Sequence, residues 1–595
     1  MSAGALTVVV PTHDVAPWID ECLTSIRGQQ GVELRIVVID DHSIDGTLAI
    51  VERHAADDPR MTVLRAAATG GGPARNEGAA RVDTRYLAFA DGDDLVPPGA
   101  YAAMVSSLES TGSELAVGNF FKFAALRTWR PSLNWRAFDA PMPKIGLADD
   151  APLIRNRACW NRVFRTDFWR REGIEFPDAV RSNDIAPMTT ALVRARTLDV
   201  LPDYVYLYRE RPGASSMTAV AHQVDGLLSY LEQELICAAL VVAEAPDVHD
   251  EYAALVFDAD GWTHLRRYVD GLADGEAVDS RVCALVGRLV DVIGAERLTP
   301  VRPSRRIVFE LLAAGLGDRA ATACRAAQRL FEAETATLDE LHFWTAAVWQ
   351  LAQAGRVSPG TRGSLIAGLV VEPLVRAARL ATTAELEELV AALAPQIGVD
   401  VLDALADGTR ADALRIARAL AAGDTARVAE VSRLISGTAF VTDAVEFDGG
   451  LIRLRGTAEL PAEAGAATRL PVVVRPLRPI GPAQNQAVVI GELRLGSVSD
   501  ADAATRPWTI DIRRTAVAEG DWQPLVRLAV DELGPVDVFL TTSRRGPVVP
   551  ESRWAELVVL PRKQAGDRLT VVSRGRPLRR AVRQIGRLAR RLRPA

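Results

Sequence analysis

Cysteine and histidine are scarce in this sequence of 595 residues, and neither falls into a metal-binding pattern. The five cysteines lie far apart, form no Cys-x-x-Cys pair and are odd in number, and the seven histidines show no His-Glu-x-x-His spacing. A disulfide framework or a thiolate zinc site is therefore not expected, and the composition fits a reducing compartment.

Long apolar runs and a leader-like start are also lacking. No uncharged apolar stretch reaches the roughly 18 residues that a membrane-spanning helix needs. Met1–Gly4 run almost directly into the strand-like Leu6–Val10, without a basic segment before them. Neither a spanning helix nor a signal peptide is expected. We expect a cytoplasmic protein, peripheral at most to the inner face of the plasma membrane.

Positive charge is in deficit overall but concentrated at one end. The net charge is −7 and the isoelectric point about 5.7, which gives no reason to expect a nucleic-acid partner. From Arg574 onwards, however, there are nine arginines and no acid, with apolar residues at helical spacing between them. Residues 574–595 predict a basic amphipathic helix on anionic lipid; contact with an anionic polymer, or a frayed end, are the alternatives.

The remaining sequence divides by its hydrophobic period into three domains and a tail. Residues 1–220 alternate strand and helix patterns, which predicts an α/β domain with a mostly parallel sheet. Residues 221–436 repeat apolar positions at three and four, which predicts an all-helical domain. Residues 437–565 show a period of two, which predicts a small antiparallel β-sandwich, and 566–595 form the basic tail.

Three aspartates directly follow the fourth predicted strand, in the segment Asp91-Gly92-Asp93-Asp94. In an open parallel sheet, ligands bind beyond the carboxyl ends of the strands. Clustered carboxylates repel one another, and a cation between them relieves the repulsion. We therefore expect Asp91, Asp93 and Asp94 to bind Mn²⁺ or Mg²⁺; an acidic turn that caps a helix is the alternative.

Polar loops follow the three preceding strands, and a doubly wound sheet would bring them to the same rim. A carboxylate there can accept the N–H of a pyrimidine, a histidine can stack on the base, and an arginine can hold a phosphate. Alone, each loop is a weak signal, and an aspartate in such a place is more often a helix cap. The loops are Pro11-Thr12-His13-Asp14, Asp40-Asp41-His42-Ser43 and Gly70-Gly71-Gly72-Pro73-Ala74-Arg75-Asn76.

Taken in order, these four loops resemble the motifs of family 2 glycosyltransferases with the GT-A fold. The resemblance implies recognition of a UDP-type nucleotide by Pro11, Thr12, His13, Asp14, Asp40, Asp41, Arg75, Asn76, Asp91 and Gly92. His13 stands where the family has an aromatic ring, and Asp14 replaces the family's usual asparagine. The layout of the whole chain is similar to that of bacterial wall-teichoic-acid sugar transferases, which implies a glycopolymer acceptor and homo-oligomerisation through the β-sandwich.

Two downstream segments extend the resemblance. Arg181-Ser182-Asn183-Asp184 stands where the family has Glu-Asp, which implies that Asp184 is the catalytic base, although Asn183 breaks the pair. From the residues alone, Asp184 could equally cap the helix that follows it. The segment from Tyr206 resembles the end of the family's catalytic domain, which implies that Arg209, Arg211 and Ser215 bind the diphosphate; an exposed basic loop is the alternative.

These signals predict an inverting glycosyltransferase that uses a nucleotide-sugar donor and a hydroxyl acceptor on a cell-envelope glycan or glycopolymer, which can be lipid-linked. One base and no protein nucleophile suffice for inversion, and arginines with a divalent ion stabilise the departing diphosphate. The alternative is an inactive GT-A scaffold that binds nucleotide or organises glycan assembly. A Rossmann dehydrogenase is disfavoured because no Gly-x-Gly-x-x-Gly follows the first strand.

Overall fold

The structure is a computed structural model and divides into two compact units, Met1–Arg325 and Ala326–Ala595. It describes residues 5–124, 127–179, 181–211, 223–332, 338–353, 357, 359–371, 374, 382–407, 411–436, 439–448, 451–460, 469–476, 488–495, 505–513, 520–530, 534–542, 557–562 and 568–573. The predicted amphipathic tail, 574–595, and Ser215 lie outside the described residues.

The first unit contains one nine-stranded sheet. Its strands, in chain order, are β1 Ala5–Thr12, β2 Glu33–Asp40, β3 Met61–Arg65, β4 Tyr86–Phe89, β5 Leu115–Ala124, β6 Arg127–Trp129, β7 Met142–Ile145, β8 Arg162–Arg165 and β9 Leu198–Arg209. The spatial order is β3-β2-β1-β4-β8-β5-β9-β7, with β6 paired to β5. The central strands are apolar throughout, as expected for strands covered on both faces.

The direction of the strands places several strand ends at one rim. β1, β2, β3 and β4 pair in parallel, and β5 pairs in parallel with β9. β8 lies between β4 and β5 and is antiparallel to both, so β4 and β5 run in the same direction. The carboxyl ends of β1 to β5 and β9 therefore meet at the same edge. The predicted mostly parallel α/β fold is confirmed.

Helices cover this sheet and continue beyond it. They are α1 Ala16–Arg27, α2 Thr47–Ala56, α3 Gly71–Ala80, α4 Ala100–Thr111, α5 Thr166–Arg171, α6 Ile185–Arg194, α7 Val224–Glu244, α8 His249–Asp258, α9 Asp260–Asp270, α10 Ser280–Ile293 and α11 Pro303–Ala313. α3 lies close against β1 because Gly78 has no side chain: a Cβ there would be 2.3 Å from Cγ1 of Val9. The first unit thus extends past the predicted domain boundary at residue 220.

Helix α7 differs from the expectation that no helix is apolar enough to span a membrane. By length and composition it qualifies, with a mean hydropathy of 1.5 over its most apolar stretch. Yet 56 % of that stretch is buried inside the unit, against α6 and α10. Buried core helices are apolar on most faces, so packing accounts for the composition of α7.

The second unit contains helices followed by a β domain. The helices are α12 Gly317–Glu332 (which begins in the first unit), α13 Leu338–Gln353, α14 Pro359–Ile366, α15 Thr383–Leu393, α16 Val399–Asp407, α17 Ala411–Ala421 and α18 Thr425–Ser436. The strands are β10 Ala439–Asp448, β11 Leu451–Glu459, β12 Arg469–Pro476, β13 Val488–Leu495, β14 Thr505–Arg513, β15 Gly520–Val530, β16 Gly534–Thr542, β17 Leu557–Arg562 and β18 Arg568–Ser573. The predicted helical region and the antiparallel β region after it are confirmed. The last strand, β18, lies beyond the predicted boundary at 565.

Candidate active site

The loops that follow β1 and β2 are joined to each other by hydrogen bonds. Asp14 takes a left-handed backbone conformation, with φ of +48°, and its Oδ1 accepts the N–H of Ile44 at 2.8 Å. The N–H of Asp14 donates to Oγ of Ser43 at 3.1 Å, and Nδ1 of His13 contacts the carbonyl oxygen of Asp41 at 2.5 Å. The carboxylate at position 14 therefore fixes the loop, while the His13 ring stays largely exposed at the rim.

Two neighbouring carboxylates behind this loop have different surroundings. Asp40 is fully buried, and its oxygens accept hydrogen bonds from the Thr12 hydroxyl at 3.4 Å and the Ser43 N–H at 3.3 Å. Oδ2 of Asp41 accepts the N–H of Gly70 at 2.8 Å, which ties the glycine-rich loop to β2. Oδ1 of Asp41 is buried without a hydrogen-bond partner among the described residues. Asp41 can therefore accept a hydrogen bond from a ligand.

The acidic segment after β4 forms a tight turn in which the N–H of Asp94 donates to the carbonyl of Asp91 at 3.1 Å. Gly92 is closely surrounded, since a Cβ there would lie 3.0 Å from Cγ2 of Thr12. Burial, and then the charges of Asp93 and Asp91, raise the pKa of Asp94 well above its usual value. Burial also raises the pKa of Asp93, although Arg211 opposes the shift. The turn thus holds carboxyl groups away from water, where burial and mutual repulsion disfavour their charged forms.

Tyr206 on β9, which sequence reasoning did not assign to the site, supports this turn. Its hydroxyl accepts the N–H of Asp91 at 2.9 Å, and its buried ring stacks on Trp160 with centroids 4.4 Å apart. The sequence contains a usable signal, because Tyr206 begins a segment that carries the family resemblance. Only the hydrogen bond in the structure shows that Tyr206 meets Asp91.

Arg75 links the acidic turn to the segment before α6. Its Nη2 donates to Oδ1 of Asp91 at 2.5 Å, and its Nη1 donates to Oδ1 of Asn183 at 3.3 Å. The guanidinium also lies over the Phe176 ring, 5.4 Å from the centroid. Burial disfavours the charge of Arg75, but Asp91 outweighs it, so the pKa of Arg75 is raised. Arg75 stays charged at the centre of the rim.

Asn76, predicted to contact the nucleotide-sugar, braces the loop in this structure. Its Nδ2 donates to the carbonyl of Phe176 at 2.7 Å, and its Oδ1 accepts the N–H of Phe176 at 2.8 Å. An asparagine amide matches a backbone amide in this reciprocal way because it carries both a donor and an acceptor. The contact holds the 172–177 loop against α3.

Arg209 and Arg211, predicted to bind a diphosphate, both contact the acidic turn. The backbone N–H of Arg209 donates to Oδ1 of Asp94 at 2.6 Å, and its Nη2 pairs with Glu21 at 2.6 Å. Nε of Arg211 pairs with Oδ2 of Asp93 at 2.5 Å, and its guanidinium lies 4.7 Å from the centroid of Trp18. Both arginines therefore reach the rim.

In the acidic turn, a metal ion would have to compete with arginines for the carboxylates. Asp91 is paired with Arg75 and Asp93 with Arg211. Across the part of the chain that the structure describes, no three His, Cys, Asp or Glu side chains are placed to hold a metal together. Carboxylate oxygens are suitable ligands for Mg²⁺ or Mn²⁺. Here, however, arginine side chains lie beside the carboxylates that a metal ion would bind.

Asp184 precedes α6, and its side chain makes no capping hydrogen bond. The alternative of a helix cap is therefore wrong for the side chain, even though the residue holds the cap position. Burial raises the pKa of Asp184 to about 6; Arg75 lowers it and Asp91 raises it further. A carboxylate with this pKa can accept a proton near neutral pH, which suits a general base.

Fold and rim together define the class: an α/β domain of the GT-A type with acids and arginines at the carboxyl edge of its sheet. Residues 7–181 match the family model described as glycosyl transferase family 2. The match ends three residues before Asp184.

The relatives are similar over part of their length. The uncharacterized glycosyltransferase EpsJ of Bacillus subtilis is 26 % identical over 37 % of this chain and 64 % of its own. The succinoglycan biosynthesis protein ExoO of Rhizobium meliloti is 28 % identical over 38 % of this chain and 66 % of its own. This chain therefore spans less than two thirds of either relative.

A third relative is TarS of Staphylococcus aureus, named poly(ribitol-phosphate) beta-N-acetylglucosaminyltransferase. It is 24 % identical over 41 % of this chain and 42 % of its own. The crystal structure of its residues 1–349 in complex with UDP-GlcNAc has a TM-score of 0.47 and 18 % identity, and covers 55 % of this chain and 91 % of that one.

Proposed function

We propose that this protein is an inverting glycosyltransferase that moves a sugar from a UDP-linked donor to a hydroxyl of a cell-envelope glycan or glycopolymer. The observation that carries the proposal is the position of Arg75, which bonds Asp91 on one side and Asn183, next to Asp184, on the other. The candidate base therefore lies close to the acidic turn at the rim of the sheet. Transfer requires such closeness, because the acceptor hydroxyl and the donor sugar must be bound side by side.

The donor end of the site supports a uracil nucleotide. The unpartnered Oδ1 of Asp41 can accept the N3–H of uracil, and the exposed His13 ring can stack on the base. The loop between these residues is held by Asp14 and Ser43. In this proposal Pro11, Thr12 and Asp40 shape the loop, and Asp41 makes the base contact.

The reaction that follows needs only one carboxylate from the chain. Asp184 accepts the proton of the acceptor hydroxyl, whose oxygen attacks the anomeric carbon from the side opposite the diphosphate. The bond from that carbon to the phosphate oxygen breaks, and the nucleoside diphosphate leaves with the electron pair. In this proposal Arg75 stabilises that negative charge, because a preorganised cation beside the leaving group lowers the barrier.

Arg209 and Arg211 complete the proposal for the diphosphate, with Ser215 beyond them. Arg211 would have to exchange Asp93 for a phosphate oxygen. A guanidinium can make this exchange because a carboxylate and a phosphate both accept two hydrogen bonds from it. A divalent cation at Asp91, Asp93 and Asp94 also stays a prediction, because the cation would compete with the same arginines for the carboxylates.

The names of two relatives support the acceptor class. ExoO is named for succinoglycan biosynthesis, and TarS is named for transfer of N-acetylglucosamine to poly(ribitol-phosphate), so each name refers to a polymer. By analogy, the acceptor here is a glycan of the cell envelope. Contact with the inner face of the membrane through 574–595 and oligomerisation through the β region remain predictions.

The test is a panel of nucleotide-sugars, incubated with the full chain and Mn²⁺, with release of nucleoside diphosphate as the signal. Wild type should release UDP from at least one UDP-sugar, while Asp184→Asn should bind UDP equally well and release almost none. Binding of UDP without release from any donor, in wild type as in the variant, would instead support a nucleotide-binding scaffold.

A further inference from the structure

The turn that carries Asp184 is conformationally strained. Ser182 has a φ of +54°, in the left-handed region that residues with a side chain rarely adopt. Such a backbone conformation is energetically unfavourable, and it persists only where the surroundings hold it in place. The side chain of Asp184 does not help, because it makes no capping hydrogen bond. Other elements must therefore hold the turn.

Helix α7 holds the residue before the strained position. Oγ of Ser229 accepts the N–H of Arg181 at 3.3 Å and donates to the carbonyl of the same residue at 3.1 Å. The hydroxyl is thereby bonded to both backbone groups of Arg181, and Ser229 is 7 % exposed. Gly226, about one turn earlier on α7, leaves room for the Arg181 side chain, because a Cβ there would be 3.0 Å from Cδ of Arg181.

The same helix also holds the residue after Asp184. Sγ of Cys237 donates to the carbonyl of Ile185 at 3.6 Å. Burial raises the pKa of Cys237 to about 12, so the thiol keeps its proton near neutral pH and remains a donor. Ser229 and Cys237 are about two helical turns apart on α7. One helix thus holds both sides of the turn.

Helix α7 is itself fixed within the unit by a buried ion pair. Oε1 of Glu234 lies 2.7 Å from Nη1 of Arg157, and both side chains are almost fully buried. Oε2 of Glu234 accepts the hydroxyl of Tyr252 at 2.6 Å. Loss of one partner from such a network would leave a charge buried and unpaired, so the helix has little freedom to shift.

We propose that α7 belongs to the catalytic machinery and that Ser229 is the positioning residue for Asp184. The proposal rests on the function proposed above, in which Asp184 is the base. It extends the catalytic unit beyond both the matched segment 7–181 and the predicted boundary at 220, because a chain that ends before α7 lacks the contacts that hold the turn. A misplaced base would lower the rate of transfer more than the affinity for the donor.

The first experiment measures the turn without requiring turnover. Hydrogen–deuterium exchange of the full chain is followed in peptides that cover residues 181–185. Ser229→Ala should raise the exchange rate there about tenfold, because the Arg181 N–H loses its partner, whereas Ser229→Thr keeps the hydroxyl and should restore the wild-type rate. Unchanged exchange in Ser229→Ala would overturn the proposal.

The second experiment measures nucleotide release. Ser229→Ala should lower kcat roughly tenfold and change the donor KM by less than about twofold, with rescue by Ser229→Thr. The matched control is Ser113→Ala, which removes a buried serine hydroxyl bonded to Asp199 at 2.8 Å. Ser113 precedes β5, at the edge of the sheet opposite the rim. The control variant should leave both readouts unchanged.

The two experiments separate the two proposals. Faster exchange in Ser229→Ala with an unchanged kcat would overturn the positioning role while leaving the enzyme assignment intact. A wild-type protein that binds UDP without releasing it from any sugar would remove the proposed function. Exchange alone would then decide whether α7 holds the turn.

Discussion

Arg75 and Asn183 lie 108 positions apart in the sequence and meet through a hydrogen bond of 3.3 Å between Nη1 and Oδ1. Since Nη2 of the same guanidinium is bonded to Asp91, Arg75 spans the distance between the acidic turn and the residue before Asp184. A planar fork with several donors can serve two acceptors in fixed directions. One guanidinium therefore links the acidic turn at the rim to the segment that carries the candidate base.

We predict that Arg75→Lys keeps the charge and loses the bridge. An ammonium at the end of a flexible stem cannot reproduce both bonds, so unfolding in urea should show a loss of about 2 kcal/mol. UDP affinity, measured by calorimetry, should fall roughly tenfold. Arg35→Lys is the matched control, because Arg35 pairs with Asp83 at the surface, at 2.7 Å, with both side chains more than half exposed. An equal effect of the two substitutions would contradict this role.

A second prediction concerns the neutral amide at position 183. Asn183→Asp adds a charge beside Asp184 and offers Arg75 a stronger partner, so it should raise the pKa of Asp184 further. The acidic limb of the kcat profile should move up by about one pH unit. Asn183→Ala removes the acceptor without adding a charge and should lower the rate without moving the limb upward. A profile that is the same in Asn183→Asp and wild type would contradict the prediction.

The parts of the fold that the sequence predicts are those set by local patterns. The first four strands, their helices and the aspartates after β4 follow from hydrophobic period and from the position of acids after apolar runs. The helical region and the antiparallel strands are predicted for the same reason. By contrast, β8 lies between β4 and β5 and runs against both, and no periodicity in Arg162–Arg165 reveals the neighbours of this short strand.

The site is predicted less completely because its contacts join distant segments. The pairing of Arg211 with Asp93 joins residues 118 positions apart, and the bond from Asp91 to Tyr206 joins residues 115 apart. Charge alone predicted a cation among the aspartates, but it could not show that arginines of the same chain reach them. The hydroxyl of Ser229 on α7 likewise carries no local sign of a role at Asp184.

Gly72 provides a steric test of the glycine-rich loop. A Cβ there would lie 2.3 Å from the carbonyl oxygen of Pro177, a backbone atom that cannot rotate away. Gly72→Ala should therefore push α3 from the 172–177 loop, costing about 2 kcal/mol in urea unfolding and weakening UDP binding. Gly287→Ala is the control within α10, where the nearest outside atom is 3.7 Å away. There the change should be neutral or stabilising, by up to about 1 kcal/mol, because alanine favours helix.

A further test concerns the predicted cation. If Mn²⁺ binds the acidic turn, it must compete with Arg211 for Asp93. Arg211→Ala should then bind Mn²⁺ more tightly than wild type in a calorimetric titration, whereas Asp93→Asn should bind it weakly or not at all. Chelation by EDTA should stop nucleotide release, and Mn²⁺ should restore it. Equal Mn²⁺ affinity in all three proteins would place any ion elsewhere.

The pH dependence of catalysis tests Asp184 itself. Because burial raises its pKa to about 6, the carboxylate that accepts a proton is the minor form at pH 5 and the major form at pH 7.5. The kcat for nucleotide release should therefore rise with pH and level off above about 7. Asp184→Asn should lose about 10³-fold in kcat at every pH while retaining UDP affinity.

The raised pKa of Asp184 also changes how the stability of the fold depends on pH. A carboxyl group with a raised folded-state pKa favours its protonated form in the folded protein. Folding is therefore progressively disfavoured by this group as the pH rises from about 4, its ordinary pKa, to about 6. Asparagine carries no such charge, so Asp184→Asn should be more stable than wild type at pH 7.5, and the difference should shrink towards pH 4. Urea unfolding at the two pH values measures it. The opposite result would be a variant that loses stability relative to wild type as the pH rises from 4 to 7.5. It would show that Asp184 stabilises the fold as an anion and is not held as a base.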